Sequence, residues 1–273
     1  MIPLVDENPT HHKPWATVLL IAVCAVVYFF VQPVGHRDLF QLGPTTIDLR
    51  ELEFSLGRAA IPCELTHGRP LTDDEVRRTY ELGDKQSCGK GSPSSPAHVK
   101  GKNIWLGLLY SMFFHGSVAH LTGNMLFLWV FGNNIEDRKG PLRYLLLYLT
   151  AGVVATMTHV LIFPNSTLPL IGASGAIAGI MGAYLVWFPK ARVKSMIALG
   201  PAILFRRISA AWLLGFWFIS QFLLVSGASS VAWAAHVGGF AYGALVGLLW
   251  RLLDRRSRPR PALVDASFAR PVA

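Results

Sequence analysis

Charged residues are scarce in this chain. Asp, Glu, Lys and Arg make up 15% of its 273 residues, against about 25% in an ordinary soluble domain. That is too little charge to cover a water-exposed globule, and 52% of the residues are apolar. Glycine (25) and proline (17) are modest in number and follow no period, which excludes collagen-like and disordered chains. No glycine-rich phosphate loop is present, and the three cysteines and nine histidines show no zinc-site spacing. The sparse charge leaves a surplus of +9. Such a surplus suits either a nucleic-acid surface or a membrane-surface bias, and its placement decides between them.

Five stretches lack Asp, Glu, Lys and Arg altogether: residues 14–36, 103–135, 144–189, 195–205 and 208–250. A bilayer-spanning helix needs about 20 predominantly apolar residues. The first two stretches hold one span each, the third and fifth hold two each, and the fourth is too short. The pattern predicts an all-α polytopic membrane protein with six spans, at 15–34, 108–132, 142–163, 171–189, 208–226 and 231–251. The first is read as a retained helix, since Gln32-Pro33-Val34-Gly35 offers no small-x-small cleavage site.

With the N-terminus inside, the inside segments 1–14, 133–143, 190–207 and 251–273 carry 15 basic and 6 acidic residues. The short outside loops 164–170 and 227–230 carry none, and the long loop 35–102 carries ten of each sign. The short-segment bias follows the positive-inside rule and puts both termini in the cytoplasm. The +9 therefore needs no nucleic acid. The chain divides into a cytoplasmic N-terminus (1–14), a first span (15–34), an extracytoplasmic loop (35–102), a core (103–251) and a basic tail (252–273).

Within the 35–102 loop, Asp48 to Arg58 reads as a short surface helix. Thr72, with Glu75 three residues on, reads as a capped helix start, and Gly89 to Pro96 as a flexible linker. Cys63 and Cys88 are open to a disulfide or to two free thiols. Cys24, inside the first span, reads as packing.

Polar groups inside a membrane are costly, so each is a functional candidate. No carboxylate lies deep in any span, which argues against a carboxylate proton pump or an aspartyl protease. His115, His120 and Asn124 on span two, Ser174 on span four, Gln221 on span five and His236 on span six remain. Ser174 begins span four, where free N–H groups and the helix dipole favour a developing oxyanion. Gly239, Gly243 and Gly247 follow His236 on one helical face, and Ser174, Ala178 and Gly182 offer a matching stripe on span four. Packed by these faces, the serine hydroxyl and the imidazole reach similar depth, where an imidazole can serve as base. His120 and Asn124, at i and i+4, share a face and can both donate to an oxyanion. A serine–histidine pair without a carboxylate leaves the histidine tautomer to packing or to a neighbour. The milder alternatives are a small-residue packing face and an interhelical hydrogen bond worth about 1 kcal/mol.

The set resembles the rhomboid family of intramembrane serine proteases. The matching pieces are His115-Gly-Ser-Val-Ala-His120-Leu-Thr-Gly-Asn124, then Gly172-Ala-Ser174-Gly175, then Ala235-His236-Val-Gly-Gly239 with Gly243, and Glu136 and Arg138 in the turn after the second span. The resemblance covers roughly 103–250. It implies a six-helix bundle, with Ser174 as nucleophile and His236 as base. His120, Asn124 and the Ser174 N–H would line the oxyanion hole, His115 would be a structural residue of the first loop, and span five with loop 227–230 would form a gate. Substrates would be transmembrane segments of other proteins, with no metal or cofactor. Members of the bacterial type would place the chain in the inner (plasma) membrane. Where members often carry an aromatic that stacks on the histidine, this sequence has Ala178. A catalytically inactive client-binding relative and a polytopic transporter are the rival readings. The first is countered by the presence of both Ser174 and His236. The second is countered by the lack of a repeat between the two halves.

Overall fold

The computed structural model describes residues 1–33, 48–199, 202–223 and 232–256. Among these, the chain is mostly helical. A strand, β1 (Ile2–Asp6), precedes α1 (Trp15–Val26), which runs on through a π turn to Val31. Four short helices follow: α2 (Leu49–Arg58), α3 (Pro62–His67), α4 (Asp73–Tyr80) and α5 (Gly107–Tyr110). The bundle helices are α6 (Val118–Lys139), α7 (Pro141–Ile162), α8 (Ser174–Trp187), α9 (Ala210–Leu223) and α10 (Trp233–Arg256). Between α8 and α9 lies a hairpin of β2 (Arg192–Leu199) and β3 (Ala202–Ser209).

The hairpin corrects the all-α expectation. β1, β2 and β3 form one antiparallel sheet, with Ile2 opposite Met196 and Arg192 opposite Ser209. Residues 190–207 carry β-branched and basic residues too polar to continue a span, so charge counting shows them only as a connection. The sheet is fastened to the bundle through Asp6, whose carboxylate accepts from the Tyr184 hydroxyl on α8 and the Asn134 amide on α6, both at 2.6 Å.

Among the described residues, two helices, Pro141–Ile162 and Trp233–Asp254, are long and apolar enough to cross a membrane. Trp15–Val31, Ser174–Trp187 and Ala210–Leu223 are shorter apolar helices. The largest departure from the apolar-run reading is α6, expected over 108–132 and found at Val118–Lys139. Ser117 fixes the start by accepting the His120 N–H at 3.0 Å. His115 therefore lies before the helix. The end passes through charged residues because each finds a partner. Glu136, 4% exposed, accepts from the Ala16 and Thr17 N–H groups and the Thr17 hydroxyl, all at 2.8 Å, and so caps α1. The Lys139 ammonium meets Asp254 at 2.7 Å, and the Arg138 guanidinium lies over the Trp187 ring. Gly140 at φ +82° then turns the chain, and Pro141 starts α7.

The stretch 48–102 forms a small folded unit over the bundle. Leu56, Ile61, Cys63, Leu71 and Val76 make its core. Asp48 caps α2, and Thr72 and Glu75 close a reciprocal capping box at α4. The Cys63 and Cys88 sulfurs are bonded to each other. His67 Nδ1 lies 3.3 Å from Cys88 Sγ, but joined sulfurs are not thiolate ligands for a metal. Burial alone would raise the Glu75 carboxyl. A two-pronged bond from Arg69 at 2.7 and 2.8 Å, with the N–H groups of Thr72 and Gly89, outweighs that and holds it at about 2. Burial also lifts the Glu64 carboxyl and lowers the Lys102 ammonium. Their 2.6 Å contact, with the Leu56 and Ala59 carbonyls as further acceptors, offsets that cost. The 89–96 segment is tied down rather than a free linker: Ser92 N–H donates to Asp74 at 2.9 Å and Asp74 N–H to Ser95 Oγ at 3.1 Å. Residues 34–47, the loop 227–230 and the tail beyond 256 lie outside the described residues.

Candidate active site

α8 and α10 pack along a seam that lacks side chains. A Cβ at Gly239 would collide with the Gly175 carbonyl, one at Gly243 with the Gly179 carbonyl, and one at Gly182 with the Phe240 carbonyl. The α10 stripe is the expected one. Its partner on α8 is Gly175, Gly179 and Ala183, with Gly182 beside them, one residue round from the expected Ser174, Ala178 and Gly182. Gly175 and Gly179 also face Ala155 and Ala151 of α7. This rotation leaves Ser174 beside the seam, with its side chain free to turn towards α10.

Ser174 is the first residue of α8, and His236 lies in the first turn of α10. The Ser174 hydroxyl and His236 Nε2 are 2.7 Å apart. Near-parallel close packing at the seam and equal depth at the helix starts put them in contact. His236 Nδ1 lies 2.8 Å from Gln221 Oε1, on α9. The Trp217 ring, one turn earlier on α9, lies 5.7 Å from the imidazole centroid to centroid. The aromatic support that Ala178 cannot give comes from α9 instead.

On the other side of Ser174 stands α6. Gly172 sits at φ +127°, a conformation side chains rarely adopt. A Cβ there would lie 2.9 Å from His120 Cε1 and 3.6 Å from Ser174 Oγ. The missing side chain thus opens a space between the serine hydroxyl and the His120 ring. The Gly116 N–H points to His120 Nδ1 at 3.5 Å, leaving Nε2 to carry the proton towards this space. Asn124, one turn along α6, is 9% exposed, and its Nδ2 has no hydrogen-bond partner among the described residues. An unpartnered buried donor is costly, and here it stands on the same helical face as His120. Ser174 N–H, at the start of α8, has no acceptor within its helix.

The remaining expected residues form the frame. His115 is fully buried in the first loop; its N–H donates to Gln32 Oε1 at 2.9 Å and its carbonyl accepts from Gln32 Nε2 at 3.0 Å. This pair ties the end of the first apolar helix to the loop before α6. The loop before Ser174 is tied in turn to the 48–102 unit. Ser111 accepts the Gly172 N–H on its carbonyl and the Ala60 N–H on its hydroxyl, both at 2.8 Å. Sequence reasoning noted Gln221 as a polar residue in a span but gave it no role. It missed Trp217. The signal for both was their i, i+4 spacing on one apolar helix.

A hydroxyl on an imidazole nitrogen, beside an unpartnered buried donor, is an arrangement that can deprotonate a nucleophile and hold the oxyanion it creates. A family model described as the rhomboid domain matches residues 102–252. The chain is 34% identical over 170 residues to a zebrafish protein named presenilin-associated rhomboid-like protein A, mitochondrial, covering 61% of this chain and 42% of that one. It is 42% identical over 81 residues to the rhomboid protease GluP of Bacillus subtilis, covering 30% and 15%. Rhomboid protein 1, mitochondrial, of Saccharomyces cerevisiae matches at 26% over 172 residues, covering 59% and 46%. The chain thus spans less than half the length of each of these curated relatives.

Proposed function

The chain belongs to the rhomboid family, and from that premise we propose that it is an intramembrane serine protease that cleaves transmembrane segments of other proteins. The observation that carries the reading is the 2.7 Å contact of Ser174 Oγ with His236 Nε2 beside the unpartnered Asn124 amide. Ser174 Oγ attacks the scissile carbonyl carbon as its proton passes to His236 Nε2. The carbonyl oxygen, now an anion, takes hydrogen bonds from Asn124 Nδ2, His120 Nε2–H and Ser174 N–H. His236 then gives its proton to the leaving amine as the C–N bond breaks. A water, deprotonated by the same nitrogen, attacks the acyl carbon, and the proton returns to Ser174 Oγ as the ester C–O bond breaks. None of these steps calls for a metal or cofactor.

In this reading α1, α6, α7, α8, α9 and α10 are six membrane crossings. The end of the bundle that gathers Arg138, Lys139, Arg192, Lys194, Arg206, Arg207 and Arg251 faces the cytoplasm with both termini, as the basic excess favours. Ser174, His236 and the disulfide-linked unit then lie towards the outer, oxidising side of a bacterial plasma membrane. α9 is the proposed entry for the substrate segment; the 227–230 loop, expected to share that role, lies outside the described residues.

The test uses the purified full chain in liposomes with a reporter protein carrying a transmembrane segment. The wild type should release the reporter's outer domain, and Ser174→Ala and His236→Ala should not, while both variants insert and melt like the wild type. Cleavage that persists in Ser174→Ala would overturn the reading. A folded wild type that binds reporters without cutting them would favour the inactive client-binding alternative.

A further inference from the structure

The geometry points to Gln221 as the positioning residue of this dyad, one that fixes the proton on His236 Nδ1 from a separate and lightly seated helix. α9 has the sequence Ala210-Ala-Trp-Leu-Leu-Gly-Phe-Trp-Phe-Ile-Ser-Gln-Phe-Leu223. Ile219 and Phe222, on its last turns, are exposed. Gln221 nevertheless is 4% exposed. A buried amide is costly unless its groups are bonded, and here they are. Nε2 donates to the Trp217 carbonyl at 3.0 Å and to Ser220 Oγ at 3.3 Å, and Oε1 faces His236 Nδ1 at 2.8 Å.

The proton positions follow from these contacts. A backbone carbonyl only accepts, so the amide must turn its NH2 to Trp217 and its oxygen to His236. That oxygen also only accepts, so His236 Nδ1 must donate. A neutral imidazole has one N–H, which leaves Nε2 bare towards the Ser174 hydroxyl. The tautomer needed for proton transfer is thus dictated by one carbonyl on α9, through one amide. In serine proteases with a triad, a carboxylate holds the imidazole in this way. An amide does so without a buried charge, which suits a membrane setting. Any movement of α9 that withdraws Gln221 releases Nδ1 as well, so seating α9 and readying the base are one event.

The inference rests on the protease reading, and the test separates the two. Wild type, Gln221→Met and Gln221→Glu are compared in liposomes by reporter cleavage across pH and by labelling with a serine-directed phosphonate. Gln221→Met keeps length and loses the acceptor. Its kcat should fall by about 10- to 100-fold, as for other orienting partners of histidine, with KM within about twofold. Gln221→Glu restores an acceptor. It should recover most of kcat and move the acidic limb of the profile up by about one pH unit or more, since a nearby carboxylate favours the charged imidazole. If Gln221→Met melts early, the acidic limb of Gln221→Glu decides alone: an unmoved limb overturns the inference. Wild-type kcat in Gln221→Met, or losses in both variants carried by KM, also overturn it. A wild type that neither cleaves nor takes the phosphonate overturns the protease reading itself.

Discussion

α8 and α9 are both fourteen-residue apolar helices, yet they are held in opposite ways. Ten residues of α8, Gly175 to Tyr184, are buried without a break. On α9 only Ala210, Leu213, Leu214 and Gln221 are. α8 is walled by α10 on its glycine face, by Ala151 and Ala155 of α7, and by Tyr184 bonded to Asp6. α9 is anchored at its base, where Ala210 and Ala211 donate to the Ala191 and Pro189 carbonyls beneath the sheet, and by its amide near the other end. Hydrophobicity does not separate the two helices. Small residues do: without a water-driven force between apolar helices, tightness depends on how near the backbones come. The lesson is a division of labour. Ser174 and His236 ride on the rigid seam, and the group that orients the histidine rides on the more lightly held of these two helices.

Four tests break or sharpen that contrast. Gly243→Leu should do most, because its side chain meets the Gly179 backbone. Overpacking there should cost about 3 kcal/mol or more and abolish phosphonate labelling, read by melting and by gel. Asn124→Ala leaves the seam whole and removes one unpartnered donor. Cleavage should slow by about 10²- to 10³-fold, with melting unchanged.

The third concerns the 48–102 unit, which is tied to the loop before Ser174 through Ser111 and through the Ala60–Leu170 backbone pair. Glu75 is held at about 2, below its ordinary 4.5. Its contribution is therefore complete above pH 4.5 and is lost as pH falls towards 2. An acid melt of the unit should show this loss, and Glu75→Gln should lose stability at neutral pH and flatten the dependence. Equal slopes in the two proteins would contradict the role of the Arg69–Glu75 pair. The smallest effect belongs to the outward face of α9. Phe216→Ala, 56% exposed, should change stability by no more than about 0.5 kcal/mol. Ile180→Ala, on the buried face of α8, should cost about 2–5 kcal/mol. Equal costs at the two positions would remove the contrast.

Much of this was legible in the residues. Gly239, Gly243 and Gly247 at helical spacing were enough to expect a close seam beside His236, and His120 with Asn124 enough to expect two donors on one face. The apolar-run rule failed where charge is satisfied within the fold. It could not extend α6 through Glu136 and Lys139, whose partners, Thr17 and Asp254, lie more than 100 residues away in the chain. It could not see the β2–β3 hairpin, because a strand paired to residues 2–6 has no local signature of its partner. The α8 stripe was off by one residue because Ala178 and Gly179 serve a packing face equally well by composition; only the third helix, with Ala151 against Gly179, decides between them. Gln221 was visible as a polar residue in an apolar run, but its role depends on which nitrogen of His236 it meets.

The central claim is that Ser174 is a nucleophile activated by His236. The full-length protein should be treated in liposomes with a serine-directed phosphonate and the adduct mapped by peptide mass spectrometry. The account predicts a single adduct on Ser174, absent in His236→Ala and in heat-unfolded protein. A folded wild type with an unmodified Ser174, or equal modification of Ser174 in His236→Ala, would contradict it.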